Sequence, residues 1–68
     1  MTDIPKPIRN QLRRMGFKRR HGFEIDDWLG GKRYKTFHNE TVYCDGDQVL
    51  SVEKNRVHIF NIRRRKTN

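Results

Sequence analysis

Residues 48–61, "QVLSVEKNRVHIFN", are the stretch that best specifies how this chain folds. Two alternating apolar runs flank a short polar segment, a pattern typical of an antiparallel β-hairpin. With Lys54-Asn55 as the loop, Glu53 would face Arg56 and form an ion pair across the strands. The pairing would then continue through Val52 with Val57, Leu50 with Ile59, and Val49 with Phe60. We therefore expect a firmly placed last strand.

A second hairpin is predicted upstream, in "FEIDDWLGGKRYKTFH" over residues 23–38. Gly30-Gly31 is the expected two-residue loop, because glycine readily adopts the positive φ that such turns need. This register pairs Trp28 with Arg33, Asp26 with Lys35, and Ile25 with Thr36. The predicted core face holds Phe23, Ile25, Leu29 and Tyr34. Phe37 would then lie on the wrong face, which allows for a bulge or a slipped register.

The N-terminal segment predicts a short helix over residues 4–15. Asp3 is the expected N-cap, and the two prolines at positions 5 and 7 suit the first turn. Gly16 is the expected residue at which the helix ends, with Phe17 folding back onto Leu12. The apolar side chains within a helical arc of roughly 80° are Ile4, Ile8, Leu12 and Met15. Because so short a helix is unstable alone, it must pack on the sheet.

The predicted fold class is α+β, with one short N-terminal helix packed on a four- to five-stranded antiparallel meander. The segment "ETVYC" at residues 40–44 supplies a further strand. The alternative is a bent sheet that closes into a small barrel with an N-terminal helix. We expect one compact domain over residues 1–62, followed by a basic C-terminal extension over residues 63–68.

Charge is the main indication of function. The 68 residues include sixteen Lys and Arg against eight Asp and Glu, which gives a net charge of +8. Such a chain attracts polyanions. No apolar run approaches the roughly 20 residues of a membrane span, and the N-terminus lacks a signal-peptide core. A single cysteine, Cys44, fits a reducing compartment, so we expect a cytoplasmic protein without a membrane partner.

Catalytic and cofactor motifs are not evident in the sequence. The three histidines at positions 21, 38 and 58 and Cys44 lack the close spacing of zinc ligands. Asp45-Gly46-Asp47 lacks the other ligands of a calcium loop, and Gly30-Gly31 precedes no helix that could bind phosphate. We therefore predict a protein that is not an enzyme and needs no metal or cofactor.

The stretch "LRRMGFKRRHGFE", residues 12–24, is similar to the opening of HicA-type toxins, which are small basic ribonucleases. Leu12, Gly16 and Phe17 match that family's corner between helix and strand. His21 lies near the position of the family's catalytic histidine. The family's Gly-Ser-His signature is absent, and no helix is predicted after the sheet. The resemblance implies an RNA-cleaving enzyme as a minor alternative.

Clusters of basic residues predict the binding site. The candidate contacts to phosphate, or to an acidic partner, are Lys6, Arg9, Arg13, Lys18, Arg19, Arg20, Lys32, Arg33, Arg63, Arg64, Arg65 and Lys66. Arginine dominates these clusters, and its planar guanidinium binds phosphate or carboxylate with two hydrogen bonds. Trp28 and Tyr34 are candidates for stacking on unpaired bases.

The predicted function is that of a small nucleic-acid-binding module, for DNA or RNA, whose size and charge suggest a phage or mobile-element source. Phosphate contacts would come from the helix and from the C-terminal arginines. The alternative is a small inhibitor or adaptor that binds an acidic surface of a larger host protein, such as a polymerase, a nuclease or a defence complex. A monomer is expected, with a dimer as the alternative.

Overall fold

A computed structural model describes residues 2–61 as one helix packed on a five-stranded antiparallel sheet. The elements are helix α1 (Lys6–Arg14) and strands β1 (Gly22–Trp28), β2 (Gly31–Thr36), β3 (Glu40–Asp45), β4 (Gln48–Lys54) and β5 (Val57–Asn61). The strands lie in chain order, and the sheet is not closed. The α+β meander is therefore confirmed, and the barrel alternative is wrong. The predicted extension, residues 63–68, lies outside the described residues.

Helix α1 covers one face of the sheet and packs on β4. The predicted apolar face is confirmed, since Ile4, Ile8 and Leu12 are no more than 2% exposed. They join a core whose sheet residues are Tyr34, Val42, Cys44, Val49 and Val52. A polar contact that the sequence did not predict fixes the helix, because the Val49 N–H donates to Gln11 Oε1 at 2.6 Å.

The sequence predicted the C-terminal end of α1 correctly but not its N-terminal end. Asp3 is not the N-cap: the cap position is Pro5, and Asp3 instead forms a bridge with Phe23 of β1. The physical reason is that a residue preceding proline disfavours helical backbone, so the helix cannot begin before Pro5. At the other end the prediction is confirmed, because Gly16 has φ +99 and Phe17 N–H donates to Leu12 O at 2.9 Å.

The β1–β2 hairpin is shifted from the predicted register. The loop is Leu29-Gly30, both with positive φ, and Gly31 belongs to β2, where it pairs with Trp28. Asp26 pairs with Arg33, and Ile25 is the extra residue of a β-bulge. Leu29 and Ile25 are consequently 87% and 41% exposed, so their assignment to the core was wrong. Leu29 is exposed because it lies in the turn, and Ile25 because the bulge leaves it without a cross-strand partner.

The β4–β5 hairpin also has its loop displaced by one residue, which moves the strand pairing by two residues. Its loop is Asn55-Arg56, so Lys54 pairs with Val57 rather than Glu53 with Arg56. The structure pairs Val52 with Phe60, and Glu53 with His58, and it leaves Ile59 as a bulge residue. The predicted apolar pairs are therefore wrong, and Val57 and Ile59 are 61% and 45% exposed. Asparagine favours the first position of such a turn, which explains the shift.

Substitutions of Gly30 and Gly31 would distinguish the observed register from the predicted one. A Cβ at Gly31 would lie 1.9 Å from the Cys44 carbonyl oxygen, whereas Gly30 has open space and only its positive φ to satisfy. We expect Gly31→Ala to reduce the free energy of unfolding by at least about 2 kcal/mol. Gly30→Asn should change it by less than about 1 kcal/mol, because asparagine tolerates this backbone. Urea denaturation of both variants measures the difference, and equal losses would contradict this register.

Candidate nucleic-acid interface

A groove lined by cations runs between α1 and the segment that joins α1 to β1. Its lining residues are Lys6, Arg9, Asn10, Arg13, Arg19, Arg20 and His21, and its volume is about 390 Å³. We call this site the basic groove. Helix residues at positions 6, 9, 10 and 13 share one face because they are three or four residues apart. A shallower depression that also contains Arg14 and Lys18 continues the surface from Asn10 and Arg13.

The wall of the groove opposite the helix is fixed by an ion pair between Arg20 and Glu40. Arg20 Nε donates to Glu40 Oε1 at 2.7 Å, and its Nη2 donates to Oε2 at 2.9 Å. Glu40 is only 3% exposed, and its Oε1 also accepts from Thr36 Oγ1. The guanidinium also lies over the Phe17 ring, 5.6 Å from its centroid. Arg20 therefore holds the joining segment on the sheet, so it is not a free phosphate contact.

The protonation of Glu40 is set by two opposing effects. Burial raises the pKa of this carboxyl group, but the hydrogen bonds from Arg20 and Thr36 lower it, and the net result is a pKa below its ordinary value. Glu40 is therefore ionised at neutral pH. Its charge is matched by Arg20 and does not oppose an anion in the groove.

Two features of the groove lower the stability of the folded chain. Arg19 has φ +52, a left-handed conformation that costs about 1–2 kcal/mol for a residue with a side chain. Arg9 Nη1 lies 2.9 Å from His21 Nδ1, but its Nε is buried and donates no hydrogen bond among residues 2–61. An unpaired buried donor costs about 1–3 kcal/mol. Such costs concentrate at functional sites, where binding rather than folding explains them.

The cations of the sheet are in a different electrostatic situation. Lys32 forms ion pairs with Glu24 and Asp27, each at 3.0 Å. Arg33 Nε donates to Asp26 Oδ1 at 2.7 Å, and this hydrogen bond lowers the pKa of Asp26. Both predicted phosphate contacts are therefore already paired with carboxylates, which the sequence could not reveal because the register was shifted.

The predicted stacking residues are not equally available. Tyr34 is 4% exposed, because its strand position faces α1, so its prediction as a stacking residue is not supported by its position. Trp28 lies on the sheet face opposite the helix and is half-buried. Its ring packs against Tyr43, with centroids 4.8 Å apart and an interplanar angle of 66°. The edge-on contact favours a packing role for Trp28.

Two residues of the basic groove, Asn10 and His21, were not among the predicted contacts. His21 was predicted only as a possible catalytic residue. Glu40, which lies outside the groove and binds Arg20, had no predicted role. Helical spacing between Lys6, Asn10 and Arg13 could have placed Asn10 on the basic face. The pairing of Glu40 with Arg20 joins positions twenty residues apart and has no local signature.

Other chemistry is limited in the described part of the chain. Cys44 is buried, and burial raises the pKa of its thiol to about 12, which makes it unreactive. Residues 2–61 contain no cluster of three or more His, Cys, Asp or Glu side chains suited to a metal ion. No helix within the same residues is long and apolar enough to cross a membrane.

Comparisons with protein families, with characterised proteins and with solved structures find no match to this chain. The function of this chain is therefore inferred from the residues of the groove and from their geometry.

Removing Arg20 should destabilise the protein strongly, because it leaves Glu40 buried and unpaired. We expect Arg20→Ala to lower the free energy of unfolding by about 3 kcal/mol, the low end for a broken buried pair, since Arg20 is 20% exposed. The matched control is Arg33→Ala, which breaks an exposed pair and should cost much less stability. Chemical denaturation provides the comparison, and similar losses would show that the Arg20 pair has no special role.

The ion pair between Arg20 and Glu40 should make the folded protein less stable in acid. The pKa of Glu40 is lower in the folded protein than its ordinary value of 4.5, so the unfolded chain binds more protons between these two values. The stabilisation is complete above about pH 5 and is lost as pH falls through the folded pKa. Glu40→Gln should flatten this loss in thermal melts between pH 3 and pH 7. Asp26→Asn, which alters an exposed pair, should flatten it less; the reverse order would contradict the assignment.

Proposed function

We propose that this chain is a small nucleic-acid-binding module whose basic groove holds the phosphate backbone. The observation that carries the proposal is the sorting of charge between two surfaces. The groove brings Lys6, Arg9, Arg13 and Arg19 together, and no carboxylate of residues 2–61 lines it. The sheet cations Lys32 and Arg33, by contrast, are held by carboxylates.

The electrostatics of clustered cations support this proposal. Like charges placed close together repel one another and destabilise a compact domain, so a cluster of unpaired cations is unfavourable unless an anion binds there. Phosphate groups neutralise such a cluster, and the release of their counterions supplies binding free energy. Arginine adds directed, bidentate hydrogen bonds to phosphate oxygens. A rigid helix face opposite an anchored segment presents these donors in a fixed arrangement.

We place this function in the cytoplasm, supported by the single reduced cysteine and by the lack of a membrane-spanning helix in residues 2–61. The proposed binding needs no metal, no cofactor and no bond cleavage. The basic residues 63–66 would add phosphate contacts, in keeping with their charge. A monomer suffices, because the groove is formed within one chain.

Neutralising two groove cations should weaken binding in a salt-dependent manner. For Lys6→Gln/Arg13→Gln we expect lower affinity for duplex DNA. The slope of log affinity against log salt should fall in magnitude by about 1.8, since each phosphate contact contributes about 0.9. Fluorescence anisotropy between 50 and 300 mM salt measures both quantities.

The matched control is Lys54→Gln/Arg56→Gln, which removes the same charge from the β4–β5 turn. It should change the slope much less. Equal effects of the two double variants would mean that net charge, rather than the groove, drives binding. RNA incubated with the wild-type protein should stay intact. Shortened RNA whose formation is lost in His21→Ala would replace this proposal with the ribonuclease alternative.

A second candidate function is supported by the edge of the sheet. Strand β5 is an outer strand, and its Val57 and Ile59 side chains are 61% and 45% exposed. The neighbouring Lys54 and Arg56 are exposed cations. An exposed apolar edge flanked by positive charge suits an extended, acidic segment of another protein, which would add a strand to the sheet.

This second candidate predicts a protein partner that survives nuclease treatment. Affinity purification with nuclease should then retain one defined protein, and Val57→Ser/Ile59→Ser should lose it. Lys6→Gln/Arg13→Gln should keep it, because the edge strand is separate from the groove. Loss of the partner in the groove variant alone would contradict docking at β5.

A further inference from the structure

An exposed aromatic pair lies at one end of the basic groove. Phe37 is 73% exposed, although a large apolar side chain normally avoids water. Its ring contacts that of Phe23, with centroids 6.1 Å apart and an interplanar angle of 42°. Phe37 therefore presents most of its ring to solvent while Phe23 supports it from behind.

His21 connects this aromatic pair to the basic groove. A shallow, mainly apolar cleft is lined by Thr2, Asp3, His21, Gly22, Phe23 and Phe37. His21 lines this cleft and also the basic groove. The Phe37 N–H donates to the His21 carbonyl oxygen at 3.0 Å, which ties the two sites together through the backbone. A cationic surface thus passes directly into an aromatic one.

The aromatic pair is held in place by the backbone around it. Phe23 belongs to β1 and is bridged by Asp3, and the neighbouring Glu24 N–H donates to Thr2 O at 2.7 Å. Thr36, which precedes Phe37, accepts hydrogen bonds at its Oγ1 from the N–H groups of His38 and Glu40, each at 3.1 Å. Because the backbone around Phe37 is already held, only its side chain loses conformational freedom when a flat ligand packs on the ring.

We propose that Phe37, supported by Phe23, stacks on an unpaired base whose adjoining phosphates lie in the basic groove, so the ligand is single-stranded nucleic acid. This inference rests on the proposed function and specifies its ligand. The faces of paired bases inside a duplex are covered by their neighbours, whereas an unpaired base offers its face to an aromatic ring.

The charge distribution favours this arrangement over its alternatives. Asp3 is among the residues that line the cleft, and its negative charge disfavours a phosphate there more than a neutral base. Insertion into an anionic membrane needs a wider apolar face than one pair of rings. The other aromatic residue predicted to stack and still partly exposed, Trp28, already packs edge-on against Tyr43.

The test compares a fluorescein-labelled oligothymidine of twelve nucleotides with the same strand annealed to its complement. Phe37→Ala should weaken binding of the single strand by roughly 5- to 150-fold, the range expected for one stacked base. Its affinity for the duplex should change by less than about twofold. Phe37→Trp should bind the single strand at least as well as the wild type, because it restores an aromatic face.

Two controls separate stacking from folding and from general loss of apolar surface. Leu29→Ala removes an even more exposed apolar side chain at the other end of β2, about 20 Å away, and should leave both affinities unchanged. Phe37→Leu keeps the size and polarity of the side chain but lacks a π face, so it should behave like Phe37→Ala. Thermal melts should be nearly identical for all these variants, because both positions are exposed.

The outcomes distinguish this inference from the proposed function. If Lys6→Gln/Arg13→Gln weakens binding of both oligonucleotides but Phe37→Ala weakens neither, the stacking site is wrong and the basic groove stands. Equal loss of duplex and single-strand binding in Phe37→Ala also contradicts stacking. If the wild type binds neither oligonucleotide, the proposed function fails together with this inference.

Discussion

The buried ion pair between Arg20 and Glu40 is the constraint on which the candidate site depends. Glu40 begins β3 beneath the joining segment, and its charge requires a partner because it is almost fully removed from water. By binding Glu40 with two hydrogen bonds, Arg20 fixes its neighbours Arg19 and His21 opposite α1. Together with the hydrogen bond from the Phe37 N–H to the His21 carbonyl oxygen, this contact holds the joining segment against the sheet as one wall of the groove.

The sorting of charges follows from the same physics. Acidic residues are concentrated on β1 and β3, where cross-strand neighbours bring Asp26 to Arg33 and Glu24 to Lys32. Helix α1 carries no acidic residue in its first turn, and its cations face the joining segment. Part of the positive charge of the sequence is thus gathered in the basic groove, and no carboxylate of residues 2–61 is among its lining residues. The strained Arg19 backbone, the buried Arg9 Nε and the exposed Phe37 ring all lie along it.

Both hairpins show where local sequence information is sufficient and where it is not. The number, order and antiparallel pairing of the strands follow from alternating apolar residues and from turn residues between them. Each loop was displaced by one residue, and each strand pairing by two, because either of two loop positions satisfied the local pattern. The backbone of Gly31 passes so close to the Cys44 carbonyl that only glycine fits there. That requirement comes from β3, which lies outside the hairpin.

By itself the sequence determined the α+β class, the helix with its glycine end, the buried stripe of Ile4, Ile8 and Leu12, and the excess of positive charge. These properties depend on periodicity and composition, which are local. Only the tertiary structure decided which cations are neutralised, where the bulges fall, and that Phe37 lies beside the groove. The physical reason is that burial and ion pairing depend on which groups meet across the fold, and the extra residue of a bulge reverses the face of the side chains beyond it.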